Sequence, residues 1–352
     1  MRSFLSIALL ISLVTASPLA SKKVKATNAG ATIRAVDQST PPAGAVVVDA
    51  SGAVSGSFKT VQAGVDALSK TATESQTLFI VSGTYREQVY IQALKSPLVV
   101  MGETTDASSY EANTVTIINN ISRNTVANND LTATVRNWTP NSKFYNVNFE
   151  NDFGHTATNG QNLALSAQAT DQGYYGCQFI GYQDTILAQT GNQLYAKSKI
   201  VGVVDFIFGQ KAKAWFEAVD IRTFDKGYIT ASGRDTETND SWYVINKSTV
   251  AARDSAVAAG STVLGRPWKA FARVVFQNSE LSDVVNAAGW SQWNDATPNI
   301  ADSYLAEYGN TGAGAATTGR AAFAKLLDAP VTIESILGAS WASASYVDTT
   351  YM

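Results

Sequence analysis

The sequence predicts an all-β protein built as a solenoid of stacked coils. In the middle of the chain a short motif recurs, in which bulky apolar residues are followed by alternating polar and apolar residues; its markers are Tyr145, Tyr175, Tyr195, Trp215, Tyr243 and Val275. The spacings between successive markers are 30, 20, 20, 28 and 32, and each unit is rich in β-forming residues, bounded by Gly, Asn or Asp, and lacks helical periodicity. Strand repeats of this length indicate a β-solenoid, although irregular coil lengths leave an ordinary β-sandwich open from periodicity alone.

Two short segments are predicted to be helical, and both lie near the ends of the repeats. Residues 58–68 are amphipathic and follow Ser57, a residue type that caps helices, and residues 321–327 form the second candidate. Because a solenoid needs its open ends covered, we expect both helices to act as caps. Residues 294–319 are rich in Gly, Ala, Thr and Asn and are predicted to be a loop. No stretch resembles an interdomain linker, so one domain is expected over residues 17–352.

The amino terminus has the pattern of a secretion signal. Arg2 precedes an apolar stretch from Phe4 to Val14, and small residues follow, which predicts a signal segment over residues 1–16 with cleavage after about Ala16. The apolar run is too short to span a bilayer and no second one follows, so we expect a secreted monomer without a membrane anchor. Four glycosylation sequons fit a secretory route, at Asn120, Asn137, Asn239 and Asn246.

Composition excludes several classes of protein. The chain has 352 residues, of which 45% are hydrophobic and 16% charged, so it can bury a large core and is not disordered. A net charge of −3 argues against a nucleic-acid binder. One histidine and one cysteine exclude a multi-histidine metal site and a disulfide framework. Chemistry must therefore come from carboxylates, amides, arginine, tyrosine or hydroxyls, and we expect no metal and no cofactor.

Two aspartates are spaced like one coil of the solenoid. The positions of Asp184 and Asp205 differ by 21, close to the local repeat of 20. In a parallel solenoid, residues one coil apart stack at about 4.8 Å, so the two carboxylates are expected side by side. Ionising both carboxyl groups of such a pair is costly, so their pKa values are pushed apart. The pair can then provide an acid and a base at one pH. The alternative is that each aspartate merely caps a turn.

The surroundings of Asp205 favour the chemical interpretation. It lies in the apolar stretch 203–208, where an unpaired charge is costly. Arg266, between a glycine and a proline, is a candidate partner. Gln161 and Gln183 are neutral amide donors on nearby coils, and amides can stabilise an oxyanion without a charge that lowers the pKa of a neighbouring acid.

These residues belong to motifs that resemble the pectin methylesterases, carbohydrate esterases that remove methanol from esterified galacturonan. Seven motifs occur in the family's order between about residues 45 and 314: Gly83-Thr84-Tyr85-Arg86-Glu87, Gln161-Asn162-Leu163-Ala164-Leu165, Gly181-Tyr182-Gln183-Asp184-Thr185, Gly202-Val203-Val204-Asp205-Phe206-Ile207-Phe208-Gly209, Thr230-Ala231-Ser232-Gly233-Arg234, Leu264-Gly265-Arg266-Pro267-Trp268 and Gly289-Trp290. The resemblance implies a right-handed parallel β-helix, pectin as the substrate and no cofactor.

The resemblance also implies roles for the five polar residues. Asp205 attacks the ester carbonyl, and Asp184 first protonates the departing methanol and then activates a water. Gln161, assisted by Gln183, holds the oxyanion, and Arg266 keeps Asp205 ionised and oriented.

Several aromatic residues are candidates for the walls of the sugar groove. Phe208, Trp268 and Trp290 are expected there, whereas Trp293 and Tyr182 are more readily interpreted as core residues. His155 stands alone in a polar loop and is not expected to catalyse, and Cys177 is expected in the core.

Departures from the plant members of the family point to a fungal-type enzyme. Val203, Ser166 and Val263 stand where plant members usually have threonine, arginine and tyrosine.

Three other functions are alternatives to an esterase. A polygalacturonase shares the solenoid and the paired carboxylates, but its signatures are missing; a calcium-dependent lyase needs an acidic cluster, and none stands out. A non-catalytic wall-binding solenoid would be expected to lose Asp184, Asp205 or Arg266.

Overall fold

The chain folds into coils of short parallel strands. The computed structural model describes residues 38–155 and 160–352. The predicted signal segment, residues 1–16, lies outside the described residues, and the single domain over 17–352 stays a prediction. The strands are β1 Val46–Val48, β2 Gln76–Ile80, β3 Gly83–Arg86, β4 Val89–Ile91, β5 Leu98–Gly102, β6 Val115–Asn119, β7 Val135–Asn137, β8 Ser142–Tyr145, β9 Val147–Asn151, β10 Leu165–Ala167, β11 Gln172–Tyr175, β12 Gln178–Ile180, β13 Ile186–Ala188, β14 Thr190–Ala196, β15 Lys199–Gly209, β16 Lys211–Glu217, β17 Asp220–Ser232, β18 Trp242–Asn246, β19 Thr249–Ala252, β20 Thr262–Pro267, β21 Arg273–Gln277, β22 Glu280–Leu281, β23 Tyr304–Tyr308 and β24 Lys325–Leu326.

In the part of the chain that the structure describes, helices are few and short. Two are α-helical, α1 Val61–Asp66 and α2 Ile333–Leu337. The others are single 3₁₀ turns, at Tyr110–Ala112, Arg123–Thr125, Asp130–Thr132, Ala313–Ala315, Trp341–Ser343 and Thr349–Tyr351.

The strands form the faces of a parallel β-helix, which confirms the predicted solenoid. The first face is an eleven-stranded sheet in the order β1-β2-β5-β8-β11-β14-β16-β18-β21-β23-β24. The second face contains β3, β6, β9, β12, the start of β15, the start of β17, β19 and β22. The third contains β4, β7, β10, β13, the end of β15, the end of β17 and β20. β15 and β17 therefore bend from the second face into the third.

Aromatic side chains stack through the interior from coil to coil. Phe144, Tyr174, Tyr195 and Phe216 form a column with ring centroids 5.2, 4.9 and 4.6 Å apart, and all four are at most 1% exposed. The strand register confirms the predicted repeat, but not all of the residues chosen as its markers pair with one another. Tyr195 pairs with Tyr174 and not with Tyr175, so the residue number advances by 21 from one coil to the next between β11 and β16.

The helix predictions were partly wrong. α1 begins at Val61 and is capped by Thr60, whose side chain accepts a hydrogen bond from the Ala63 N–H, and not by Ser57. Its buried face packs against β1, β2 and β4 in the main core, as expected of a cap. Residues 321–327 are not helical, because Lys325 and Leu326 pair with β23 and satisfy their backbone groups in the first sheet. α2 packs against β16 on the outside of that sheet and does not cover an end.

The predicted loop at residues 294–319 contains a strand that the amino-acid composition of this segment did not indicate. β23 lies inside it, and its Leu305 and Ala306 are fully buried although their neighbours in sequence are polar.

Of the four sequons, Asn120 is exposed, whereas Asn137 is fully buried and its amide donates to the Ser142 and Tyr174 hydroxyls. Within the described ranges, no helix has the length and apolar character needed to cross a bilayer.

Candidate active site

The two aspartates meet where β15 bends from the second face into the third. Leu187 of β13 pairs with Phe208 of β15, and a bridge joins Gln183 to Val204. Asp184 and Asp205 directly follow that bridge, so they occupy equivalent positions on adjacent coils. Their spacing in the sequence thus matches the length of this coil, as predicted.

Both aspartates have left-handed backbone conformations. The φ angles are 64° at Asp184 and 50° at Asp205, and the register of β15 against β17 shifts on both sides of Val204. A left-handed conformation costs an L-residue roughly 1–2 kcal/mol, and aspartate is among the side chains that tolerate it.

Arg266 of β20 holds the carboxylate of Asp205 in a two-pronged ion pair. Its Nε donates to Oδ1 at 2.9 Å and its NH2 donates to Oδ2 at 2.7 Å. The guanidinium lies 3.9 Å from the ring centroid of Tyr228 and 4.3 Å from that of Trp293. The side chains of Arg266 and Asp205 are 18% and 6% exposed, so this charge-assisted pair is largely removed from water. The two rings and the fork geometry fix the orientation of the carboxylate.

The two carboxyl groups are electrostatically unequal. Burial raises the pKa of Asp184 well above its ordinary range, and the neighbouring charge of Asp205 raises it further. Burial also raises the pKa of Asp205, but there the hydrogen bonds and charge of Arg266 oppose the effect. Of the two carboxyl groups, Asp184 therefore binds a proton more tightly and Asp205 is the more readily ionised. Such an arrangement can supply an acid beside a nucleophile.

The pair lines a cavity of about 220 Å³. The structure brings all five predicted polar residues and two of the three predicted aromatic residues to this cavity; its lining is Asn129, Gln161, Gln183, Asp184, Asp205, Phe208, Ala231, Arg266, Trp268 and Trp293.

The amides of Gln161 and Gln183 are available to a ligand. Their backbones are fixed, because the Gln161 carbonyl accepts from the Arg123 N–H at 2.8 Å and the Gln183 N–H donates to Asn162 Oδ1 at 3.1 Å. Their side-chain amides form no hydrogen bond to any other residue that the structure describes. Two side-chain amides without a partner among the described residues, beside a buried carboxylate, are suited to bind an oxyanion.

The aromatic walls differ from the prediction at one position. Phe208 and Trp268 lie together over the cavity, 6.2 Å between centroids, and a Cβ at Gly233 would come within 2.4 Å of the Trp268 ring, so glycine is required there. Trp290 is instead a core residue, 2% exposed, whose indole N–H donates to Glu307. Trp293, expected in the core, takes the position in the cavity by covering Arg266.

Asn129 is a functional candidate that sequence reasoning missed. Its Nδ2 donates to Asp184 Oδ2 at 3.2 Å, which orients the acid without adding a charge. Asn129 lies in a loop 55 residues before Asp184, and no repeat or motif marks it. The only available signal was the polar run at residues 128–130.

His155 and Cys177, the remaining residues considered in the sequence, do not line the cavity. His155 is not isolated, because its ring stacks on Tyr182 at 4.1 Å, and Tyr182 in turn contacts Phe224 edge-on. Cys177 is fully buried, and burial raises the pKa of its thiol to about 12, so it is an inert core residue as expected.

Comparison with known proteins agrees with this geometry. A family model described as Pectinesterase matches residues 45–335. The chain is 49% identical to a pectinesterase of Aspergillus niger over 92% of its own length and 96% of the relative's.

Solved structures give the same result. The crystal structure of a pectin methylesterase from Aspergillus niger is 37% identical, with a TM-score of 0.82, over 90% of this chain and 100% of the other. A pectin methylesterase from carrot is 29% identical, with a TM-score of 0.76, over 88% and 98% of the two chains. Family model, sequence and fold agree over nearly the whole described chain, and this chain belongs to the pectinesterase family of carboxylic ester hydrolases.

Proposed function

We propose that this chain hydrolyses the methyl esters of pectin by double displacement at the Asp205–Asp184 pair. The single observation that supports this mechanism best is the pairing of Asp205 with Arg266 while Asp184, one coil away, has no cation bonded to it among the described residues. Family membership gives the reaction, and this asymmetry assigns different roles to the two carboxyl groups.

In the first step, a carboxylate oxygen of Asp205 attacks the carbonyl carbon of the methyl ester. The carbonyl π electrons move to the oxygen, and the amides of Gln161 and Gln183 donate hydrogen bonds to the resulting oxyanion. When the intermediate collapses, the bond to the methoxy oxygen breaks and Asp184 transfers its proton to that oxygen. Methanol leaves, and an anhydride joins Asp205 to the sugar carboxyl carbon.

In the second step, Asp184 is ionised and acts as a base. It accepts a proton from a water molecule, whose oxygen attacks the sugar carboxyl carbon of the anhydride. Collapse expels the Asp205 carboxylate, which returns to its ion pair with Arg266. The acid proton is back on Asp184, and the product is a galacturonate carboxylic acid that ionises on release.

We also infer that the enzyme acts as a secreted monomer. Its polymeric substrate is a component of the cell wall, and the pattern of residues 1–16 is that of a secretion signal. Amino-terminal sequencing of the exported protein and light scattering of the purified enzyme test the two inferences. Retention of residues 1–16, or a mass of two chains, would contradict them.

The proposed reaction differs from those of other pectin-active enzymes in its product, which is methanol, and in needing no metal ion. Across residues 38–155 and 160–352, no group of three or more His, Cys, Asp or Glu side chains is arranged to hold an ion. We therefore expect methanol release from esterified pectin at an unchanged rate in excess chelator, with no new reducing ends and no unsaturated product. Reducing ends without methanol would indicate a polygalacturonase, and calcium-dependent unsaturated product would indicate a lyase.

A further inference from the structure

A row of residues runs along the third face and ends at the catalytic cavity. Each member directly follows a strand of that face, so the register places them on successive coils; we call Trp138, Gln168, Gln189, Gln210, Gly233 and Trp268 the outer row. The backbone N–H of Gln168 donates to the Asn137 carbonyl and that of Gln189 to the Ala167 carbonyl, which continues the ladder beyond the strand ends. Side-chain amides thus lie between two tryptophans, of which Trp268 lines the cavity.

Trp138, at the far end of the outer row, is exposed yet held in place. It is 40% exposed, the largest exposure of any tryptophan in the described residues. Its Nε1 donates to Asp130 Oδ1 at 3.2 Å, and its ring meets Tyr90 edge-on at 6.5 Å. An exposed aromatic ring that is fixed before a ligand arrives loses little conformational entropy on binding.

The carboxylate that holds Trp138 is itself fixed from several sides. Asp130 is only 13% exposed and accepts hydrogen bonds from Arg136 at 2.9 and 2.6 Å and from Ser166 Oγ at 2.8 Å. Gln168 Nε2 donates to the same Ser166 hydroxyl at 2.9 Å. Asp130 directly follows Asn129, whose amide contacts the catalytic Asp184. The tryptophan is therefore joined to the cavity by these polar contacts together with the peptide link between Asp130 and Asn129.

The chemistry of the outer row matches a polysaccharide. A pyranose ring has an apolar face of C–H groups, which packs on an indole, and a rim of hydroxyls, which amide groups can bind through both a donor and an acceptor. Gln189 Nε2 donates to Gln210 Oε1 at 3.3 Å, which leaves each glutamine with unused amide positions. None of these groups carries a charge, which suits a sugar chain whose carboxyl groups are esterified.

We propose that Trp138 is a distal subsite of the galacturonan groove, on which one sugar of the bound chain stacks while the glutamines of the outer row bind the intervening sugars. The proposal rests on the proposed function, because its ligand is the substrate. Trp138 follows β7 and Asp205 lies in β15, three coils along the third face, which corresponds to about 14 Å. A sugar unit is about as long as one coil is thick, so the subsite lies about three sugars from the reacting ester.

Calorimetry on the Asp205→Asn protein tests this without turnover. The probes are a fully methylated trigalacturonate, which is too short to span from the cavity to Trp138, and a fully methylated decagalacturonate, which is long enough. We expect Trp138→Ala to weaken binding of the decamer about three- to tenfold, and to lower the ratio of decamer to trimer affinity by the same factor. Trp138→Phe keeps a ring without the Nε1–H and should restore most of the loss.

Two further variants separate the subsite from general damage. Trp341→Ala removes an aromatic ring from the carboxy-terminal segment on the first face and should leave the affinity ratio unchanged. Gln189→Ala, in the middle of the outer row, should lower the ratio even if Trp138→Ala proves too unstable to measure. An unchanged ratio in both outer-row variants, or an equal loss for both probes, overturns the proposal. Methanol release by the unmodified enzyme tests the proposed function separately.

Discussion

Asp205→Asn is expected to fold like the unmodified protein and to lose at least about four orders of magnitude in methanol release. Asparagine tolerates the left-handed backbone found at position 205, and its amide oxygen can still accept a hydrogen bond from Arg266. The neutral amide, however, is not a nucleophile, so no anhydride can form. The measurements are the rate of methanol release from esterified pectin and the thermal midpoint.

A matched control tests whether any loss of a paired carboxylate has this effect. Asp220 also accepts from an arginine, at 2.7 Å from Arg222 Nε, but it lies on the second face, away from the cavity. Asp220→Asn should keep methanol release within about twofold, because Asp220 does not line the cavity. Substantial activity in Asp205→Asn, with a normal midpoint, would remove Asp205 from the nucleophile's role.

Arg266→Ala should damage both turnover and stability. Without the guanidinium, burial dominates at Asp205, its pKa rises further and it becomes protonated, so we expect a loss of about 10³ in methanol release. Removing one partner of a largely buried pair costs about 3–5 kcal/mol at neutral pH, because the folded protein must hold on Asp205 a proton that the unfolded chain releases. The aromatic rings of Tyr228 and Trp293 also lose the cation between them.

The stability loss in Arg266→Ala should depend on pH in a defined direction. The folded-state pKa of Asp205 in the variant lies above its unfolded value of about 4, so the folded form keeps a proton that the unfolded form releases. The free energy of unfolding of the variant therefore falls as pH rises above about 4, relative to the unmodified protein, and the deficit shrinks below it. Thermal midpoints at several pH values measure this, with Arg222→Ala as control. A deficit that grows in acid would contradict the assigned ion pair.

The two aspartates of the site could be predicted correctly because their positions follow from the repeat. Asp184 and Asp205 are one coil apart, and a parallel ladder brings residues one coil apart together whatever the details of each turn. Arg266 could be predicted because a buried carboxylate needs a cation. In both cases a strong physical requirement acts on a short list of candidates.

The errors occurred where several residues could satisfy the same requirement. Trp290 and Trp293 are close together in a polar segment, and only the path of the chain decides which one enters the core and which covers Arg266. Asn129 comes from a loop outside the repeat, so spacing could not reveal its contact with Asp184. The segment 321–327 has a helical composition, but pairing with β23 overrides this weak local preference.

The most direct test of a covalent Asp205 intermediate is the partitioning of products in the presence of hydroxylamine. Methyl and ethyl esters of the same oligogalacturonate should give the same ratio of hydroxamate to acid, because both alcohols have left before either nucleophile attacks the common anhydride. A ratio that changes with the leaving alcohol, or release of acid with no hydroxamate at any hydroxylamine concentration, would contradict the anhydride and indicate direct attack by water.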